Sequence, residues 1–178
     1  VDCGYPQHSI ALMRERDMES VMKNDDLKVS LYRQHERIRK LAYPVIKSDP
    51  EKGVEDLRRY MDEKGETFDI VLFDLPGTLR SEGVVHTVAA MDYIFVPLKA
   101  DNIVMQSSLQ FTKVLEEELI AKGNCNLKGI RLFWNMVDRR GRKNLYDAWN
   151  RVIHRMGLRL LSSHIPNTLR YNKEADSV

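Results

Sequence analysis

Short apolar runs rich in β-branched and aromatic residues recur along this chain, and they constrain its fold more than any other feature. The runs lie at 70–73, 93–96, 130–134 and 158–161. The segments between them place apolar residues at helical spacing, as at 104–119 and 145–156. Alternating strands and helices favour a parallel sheet with right-handed crossovers and helices on both faces. We therefore predict a three-layer α/β/α fold with a mostly parallel sheet.

Weaker signals extend this pattern toward the beginning of the chain. Two further strands are predicted near 1–3 and 43–46, and they flank a polar stretch from Gln7 to Leu41 that is expected to be helical. Asp49-Pro50 is typical of a helix start and Lys64-Gly65 of a helix end. We see no linker or repeat, so we expect a single domain across 1–178.

Composition narrows the class of protein. The 178 residues are 43% hydrophobic and 30% charged, which is ordinary for a globular protein, and no apolar run reaches the length that a membrane span needs. Cys3 and Cys125 lie far apart without metal-type spacing, so both are predicted to be reduced thiols in a cytoplasmic protein. The chain begins with Val1 and lacks the features of a signal peptide. We expect it to be an internal segment of a longer protein.

In open parallel sheets the ligand lies at the carboxyl ends of the strands. The run 70–73 ends in Asp74 and is followed by a turn at Pro76-Gly77, which is a Walker-B-like arrangement. A carboxylate in this place can hold Mg²⁺ through water, because Mg²⁺ keeps much of its hydration shell. The alternative is that Asp74 only caps the turn.

Three other predicted strand ends carry polar residues. Asn135 and Asp138 follow the run 130–134, and their side chains could read the edge of a purine or could satisfy local backbone groups. Pro166 lies in a loop predicted after the run 158–161, where it could wall a base pocket or simply end the strand. The opening residues 1–9 also fit a plain helix start.

Taken together, these segments resemble the ParA/MinD family of deviant-Walker partition ATPases, particularly ParA-like proteins of conjugative transposons and plasmids in Bacteroides-type bacteria. The family's motifs are matched in order by Asp2 to Gln7 (usually Asp-x-Asp-Pro-Gln), Phe68 to Pro76 (Walker B), Asp92 to Pro97, Asn135 with Asp138 (Asn-x-x-Asp), and Ile165-Pro166. The resemblance covers nearly the whole chain.

The resemblance implies a P-loop NTPase-like, or Rossmann-like, fold that binds ATP and Mg²⁺. It places Asp74 near the metal, with water between them, and Asn135, Asp138 and Pro166 around the adenine base. It also implies a role in DNA segregation or mobile-element maintenance, a homodimer, contact with non-specific DNA and with a ParB-like partner protein, and no membrane.

Two departures from the family matter more than the matches. The chain contains no Gly-Lys dipeptide, so it lacks the family's first strand and its phosphate-binding P-loop. We expect truncation at the N-terminus and also at the C-terminus. Gly4 stands where the family places a carboxylate that positions the attacking water, and Asp2 is the only nearby candidate for that catalytic role. The chain is therefore expected to bind ATP weakly or not at all and not to hydrolyse it alone.

A basic cluster follows Asp138 and consists of Arg139, Arg140, Arg142 and Lys143. Such a cluster can pair with DNA phosphates without reading sequence. A solvated loop, or cations that face nucleotide phosphates, explains it equally well.

The alternative function is a non-enzymatic module that binds DNA or a protein and derives from a degenerate nucleotide-binding domain. The missing P-loop and Gly4 both favour this alternative. An unrelated Rossmann-type enzyme is disfavoured because no Gly-x-Gly-x-x-Gly motif is present. The histidines show no metal-ligand spacing, so no metal site built from protein ligands alone is predicted.

Overall fold

The structure, a computed structural model, describes residues 1–39, 42–77, 82–121, 123, 125–138 and 143–168. These residues fall into two compact units. The first comprises Val1–Pro76 and residues 82–84, and the second comprises Gly77 and residues 85–168. The expected single domain across 1–178 stays a prediction. None of the helices in the described part of the chain combines the length and hydrophobicity that crossing a bilayer requires.

The first unit contains three helices, which are α1 (Ser9–Lys23), α2 (Asp25–Ile38) and α3 (Gly53–Lys64). Asn24 separates the first two, because its side-chain Oδ1 accepts hydrogen bonds from the backbone N–H groups of Asp26 and Leu27 at 2.9 and 3.2 Å. The structure describes every residue of α2, and none of them is buried. The helix α3 ends at Gly65, which adopts the left-handed conformation with φ 65°.

A narrow parallel ladder runs beside these helices. Asp2 forms a parallel bridge with Lys47 on one side and with Asp74 on the other. The ladder contacts the start of α3 closely, since a Cβ atom at Gly53 would lie 3.2 Å from both the Sγ of Cys3 and the ring of Phe73. Gly53 is buried, so the lack of a side chain lets the helix approach the ladder.

The second unit carries the regular sheet. Its elements in chain order are β1 (Tyr93–Leu98), α5 (Asn102–Leu115), a π-helical turn (Glu116–Ile120), β2 (Gly129–Val137), α6 (Lys143–Arg155) and β3 (Leu160–Pro166). The helix α4 (Glu82–Ala89) begins in the first unit and ends in the second.

The three strands form a sheet of order β1-β2-β3, and both strand pairs are parallel. The helix α5 connects β1 to β2 and α6 connects β2 to β3, as parallel pairing requires. This topology confirms the predicted α/β class with a parallel sheet.

Helices cover one face of this sheet and create the core of the second unit. The helix α5 contacts β1, and α6 contacts β3. The largest fully buried apolar side chains in this unit are Leu98, Met105, Leu115, Leu132 and Ile153. Burying a side chain of this size contributes about 1.5–3 kcal/mol of hydrophobic free energy. The core therefore fixes β1 and β2 against the two crossover helices.

The observed elements confirm several sequence-based predictions. The apolar runs 93–96, 130–134 and 158–161 overlap the three strands, and the helical spacing at 104–119 and 145–156 corresponds to α5 with its π-helical turn and to α6. The polar stretch from Gln7 to Leu41 is helical over its described residues, although Asn24 divides it into two helices. The helix α4 was not predicted from the sequence.

The strand predictions at 1–3, 43–46 and 70–73 were wrong in extent. Residues 70–73 belong to no strand, and the three segments meet only through the bridges at Lys47, Asp2 and Asp74. A strand needs several consecutive bridged residues, and the narrow ladder supplies only one at each position.

Candidate functional site

Asp74 lies at the end of the extended segment 70–74 in the first unit. Its backbone N–H donates to the carbonyl of Val1 at 2.9 Å, and its carbonyl accepts from the N–H of Cys3 at 3.0 Å. The side chain is exposed, and no described residue makes a hydrogen bond or ion pair with its carboxylate. Both oxygens are thus available to water or a cation at the end of this segment.

Asp2 occupies the neighbouring segment and is completely buried. Its Oδ1 accepts from the N–H of Gly4 at 3.0 Å, and its Oδ2 accepts from the N–H of Ala11 at 2.9 Å. The ring Nδ1 of His8 lies 3.2 Å from the backbone carbonyl of Asp2 and 3.7 Å from Oδ1. The carboxylate therefore holds the turn at 4–8 and the first turn of α1 together.

Opposing effects set the pKa of Asp2. Burial raises it, because a charged carboxylate loses its hydration. Hydrogen bonds from the N–H groups of Ala11, Gly4 and Ile10, together with the charge of His8, lower it and outweigh burial. The pKa of Asp2 is consequently below the ordinary aspartate value, and the buried group stays ionised. These contacts favour a structural role, and the catalytic role of Asp2 stays a prediction.

Gly4 has no side chain, so only its backbone lies next to the carboxylates of Asp2 and Asp74. A Cβ atom built on Gly4 would lie 3.2 Å from Oδ1 of Asp2 and 3.9 Å from Oδ2 of Asp74. The carbonyl of Gly4 also accepts from the N–H groups of Gln7 and His8 at 2.9 and 2.8 Å. Position 4 therefore lies beside Asp74 but contributes no group that can accept a proton.

The residues predicted to face adenine lie in the second unit, where two of the expected positions need correction. Asn135 does not follow the strand but lies within β2, and Pro166 is the last residue of β3 rather than part of a loop. Both strands are longer than their apolar runs, because Val137 still pairs with Pro166. Asp138 follows β2 directly, as expected.

The two strand ends meet at one edge of the sheet. Val137 pairs with Pro166, and the N–H of Asn167 donates to the carbonyl of Val137 at 2.9 Å. The Oδ1 of Asn135 accepts from the N–H of Met136 at 2.9 Å, which satisfies a local backbone group and leaves the amide NH₂ as a donor. The structure thus brings the three predicted base-side residues to the same end of the β2–β3 pair.

The basic cluster lies largely outside the described residues, which include none of Arg139, Arg140 and Arg142. Lys143 is the first residue of α6, and its side chain is not described. A role in DNA binding stays a prediction for all four residues.

The donor set around Asp74 is compatible with magnesium but not with a metal held by several protein ligands. The described residues include no group of three or more His, Cys, Asp or Glu side chains that could hold a metal ion. Mg²⁺ takes hard oxygen ligands, retains several waters and can be held by a single carboxylate. The exposed carboxylate of Asp74 meets this requirement.

His8 is a residue of the site that the sequence did not single out. It precedes α1 in a left-handed conformation with φ 43°, and its ring packs beside Asp2. The only sequence signal was its position between the turn at Pro6 and the helix start at Ser9. A lone histidine in that context is not distinctive.

The described residues define an α/β protein with a three-stranded parallel sheet. No protein-family model matches the chain, and no curated protein is significantly similar to it. A solved structure described as a partition protein is similar over 68% of this chain, with 21% sequence identity and a TM-score of 0.48. The match covers 35% of that structure's chain, so the present sequence spans about a third of its length.

Proposed function

We propose that this chain is part of a ParA-like protein that acts in the partition or transfer of plasmid or transposon DNA. The proposal rests on the order of the sequence motifs and on one observation in particular. The carboxylate of Asp74 is exposed at the end of an extended segment, beside the backbone of Gly4, and makes no bond with the other described residues.

In this proposal each candidate residue keeps the role that the resemblance implies for it. Asp74 supports Mg²⁺ through water, while Asn135, Asp138 and Pro166 contact the adenine base. ATP and Mg²⁺ are the cofactors of the intact protein, which forms a homodimer in the cytoplasm and contacts DNA and a ParB-like partner. These residues bind and orient the nucleotide, and the magnesium neutralises charge on its phosphates.

The chain alone is proposed to bind Mg·ATP weakly and to leave it unhydrolysed. Its sequence has no Gly-Lys dipeptide to hold the phosphates, and Gly4 offers no proton acceptor beside Asp74. The carboxylate of Asp2 is buried and already accepts two backbone hydrogen bonds.

Weak binding can be measured by titrating Mg·ATP into isotope-labelled chain and following backbone amide signals by NMR. We expect shifts at millimolar nucleotide for Gly4 and Asp74 in the first unit and for residues 135–138 in the second. Asp74→Asn should abolish the magnesium-dependent shifts in the first unit. Asp69→Asn is the matched control, because Asp69 is an exposed carboxylate at the opposite end of the same segment.

Two results would contradict the proposal. One is the absence of any shift at these residues when magnesium and ATP are both present. The other is an equal response of the Asp69→Asn and Asp74→Asn variants. If the chain hydrolysed ATP and Asp74→Ala abolished that activity, the proposed nucleotide site would be supported. The proposal that the chain alone does not hydrolyse ATP would then be wrong.

The second candidate function is a non-enzymatic module that binds DNA or a protein. The engaged carboxylate of Asp2 and the bare backbone at Gly4 favour it, since no proton acceptor is left beside Asp74 among the described residues. Labelled duplex DNA should then bind without nucleotide, and binding should weaken steeply with salt. Reversing the charges of Arg139 and Arg140 should weaken it further, whereas salt-independent binding would exclude phosphate contacts.

A further inference from the structure

Within the second unit, the described residues leave one face of the parallel sheet exposed. Along β1, Val96 and Leu98 are buried, whereas Tyr93 and Phe95 point to the opposite face and are 48% and 57% exposed. Parallel sheets are normally covered on both faces, and their strands read as continuous apolar runs. The run at 93–96 fits a strand that is buried on both sides, so the exposed aromatic rings indicate a surface that another element covers.

Arg131 lies on the same face of the sheet as the two aromatic rings. It is the partner of Phe95 in the β1–β2 register, and its guanidinium carbon lies 5.7 Å from the centre of the Tyr93 ring. Its Nη1 donates to the carbonyl of Ile130 at 3.0 Å, and a Cβ atom at Gly129 would lie only 2.6 Å from Nη1. The glycine thus gives the guanidinium room to lie along the strand.

The charge of Arg131 has no carboxylate partner among the described residues, although the side chain is half-buried. Lys128, which precedes β2, already pairs with Asp92 at 2.7 Å. A partly desolvated guanidinium beside exposed apolar rings favours a ligand that supplies both apolar surface and a carboxylate.

We propose that the aromatic face, defined as Tyr93, Phe95 and Arg131, binds an amphipathic helix of a partner protein whose apolar side is flanked by Asp or Glu. A helix is the element that covers parallel sheets in α/β proteins, and acidic flanks complement Arg131. This inference does not depend on the proposed nucleotide site.

Two other occupants fit the aromatic face less well. A second copy of the chain, stacked by the same face, would bring two Arg131 side chains together, and like charges repel. Single-stranded nucleic acid stacks on exposed aromatic rings, but it also needs a groove with several unpaired cations. Arg131 is the only Arg or Lys within the strands β1, β2 and β3, and Lys128, which precedes β2, is paired with Asp92.

The test uses the full chain and two labelled synthetic helices, one with a leucine face flanked by glutamates and one with lysines in place of the glutamates. Fluorescence anisotropy should show preferential binding of the acidic helix. Phe95→Ser should weaken binding by about tenfold or more. Arg131→Gln should weaken binding of the acidic helix by about two- to fivefold and remove the preference over the basic helix.

Ile103→Ser is the matched control, because Ile103 is an exposed apolar residue of α5 and should have no effect on binding. Circular dichroism checks that each variant folds. Equal affinity for the two helices, or indifference to Phe95→Ser, would overturn the proposal. The proposal would also be overturned if the chain bound oligothymidylate, or formed a dimer, and Phe95→Ser abolished that binding or that dimer.

Discussion

The carboxylate of Asp2 accepts a hydrogen bond from the backbone N–H of Ala11, nine residues further along the chain, with 2.9 Å between Oδ2 and N. The first turn of a helix has N–H groups without intrahelical partners, and a carboxylate there is favourable both as an acceptor and by its charge. Asp2 thus connects the narrow ladder of the first unit to α1. We therefore expect removal of the Asp2 carboxylate to lower the free energy of unfolding.

We expect Asp2→Ala to lower the free energy of unfolding by about 1–3 kcal/mol, because the N–H groups of Gly4 and Ala11 lose their acceptor. Urea denaturation followed by circular dichroism measures this change. Asp69→Ala removes an exposed carboxylate and should change stability by less than about 0.5 kcal/mol. Equal effects of the two substitutions would show that the buried hydrogen bonds are not needed.

The lowered pKa of Asp2 predicts an acid-dependent contribution to stability. A carboxylate whose pKa is lower in the folded chain stabilises the fold above its unfolded pKa of about 3.9. That contribution is lost as pH falls through the lower folded value. The difference in unfolding free energy between the natural chain and Asp2→Asn should therefore be constant near neutral pH and shrink below about pH 4. A difference that grows on acidification would mean that the folded pKa is raised.

Restoring a carboxylate at position 4 should destabilise the chain. A Cβ atom there would already lie 3.2 Å from Asp2, and a charged group would repel the carboxylates of both Asp2 and Asp74. We expect Gly4→Asp to be less stable than Gly4→Ala by roughly 1 kcal/mol or more at neutral pH, and the gap to narrow in high salt. Equal stability of the two variants in low salt would refute this repulsion.

The two cysteines should react at very different rates. Burial raises the pKa of the Cys3 thiol to about 11, and the carboxylates of Asp2, Asp74 and Asp56 add to the rise. Cys125 is only partly buried. At about pH 8 a thiol reagent should label Cys125 quickly and Cys3 only after denaturation, because the thiolate is the reactive form. The Cys125→Ser variant should show no fast labelling in the folded state, and fast labelling of it would contradict the burial of Cys3.

Trp134 and Asn150 should prove energetically coupled. The indole Nε1 of Trp134 donates to Oδ1 of Asn150 at 2.9 Å, and its ring meets that of Tyr146 edge-on at 4.9 Å. A double-mutant cycle of Trp134→Phe and Asn150→Ala should give a coupling of about 1 kcal/mol in urea denaturation. Simple additivity of the two changes would show that this bond does not link β2 to α6.

The fold of the second unit could be predicted because local pattern and pairing agree there. The runs at 93–96 and 130–134 pair with each other residue by residue, so the pattern and the ladder select the same strands. The run at 158–161 pairs at Leu160, where β3 begins. In the first unit, the run at 70–73 has the composition of a strand, but its pairing reduces to a bridge at Asp74. Strand formation depends on the neighbour as well as on the residues themselves.

The site could be predicted in outline but not in detail. Residues near the expected strand ends do gather at one edge of β2 and β3, yet Asn135 and Pro166 lie inside the strands. The length of each strand is set by the pairing of Val137 with Pro166, which no local pattern encodes. The hydrogen bonds to the Asp2 carboxylate come from backbone N–H groups. Every residue except proline has such a group, so the identity of the donor residues does not predict these bonds.

The helix α2 shows what a helix without a buried residue implies for motion. A helix of 14 residues gains little stability from its own hydrogen bonds, and most helices are stabilised by burying an apolar face. The helix α2 contacts α1 but buries none of its residues. Its amide protons should therefore exchange with solvent faster than those of β2, through local openings that leave the rest of the chain folded. Any molecule that immobilises α2 must offset the conformational entropy that the helix now retains.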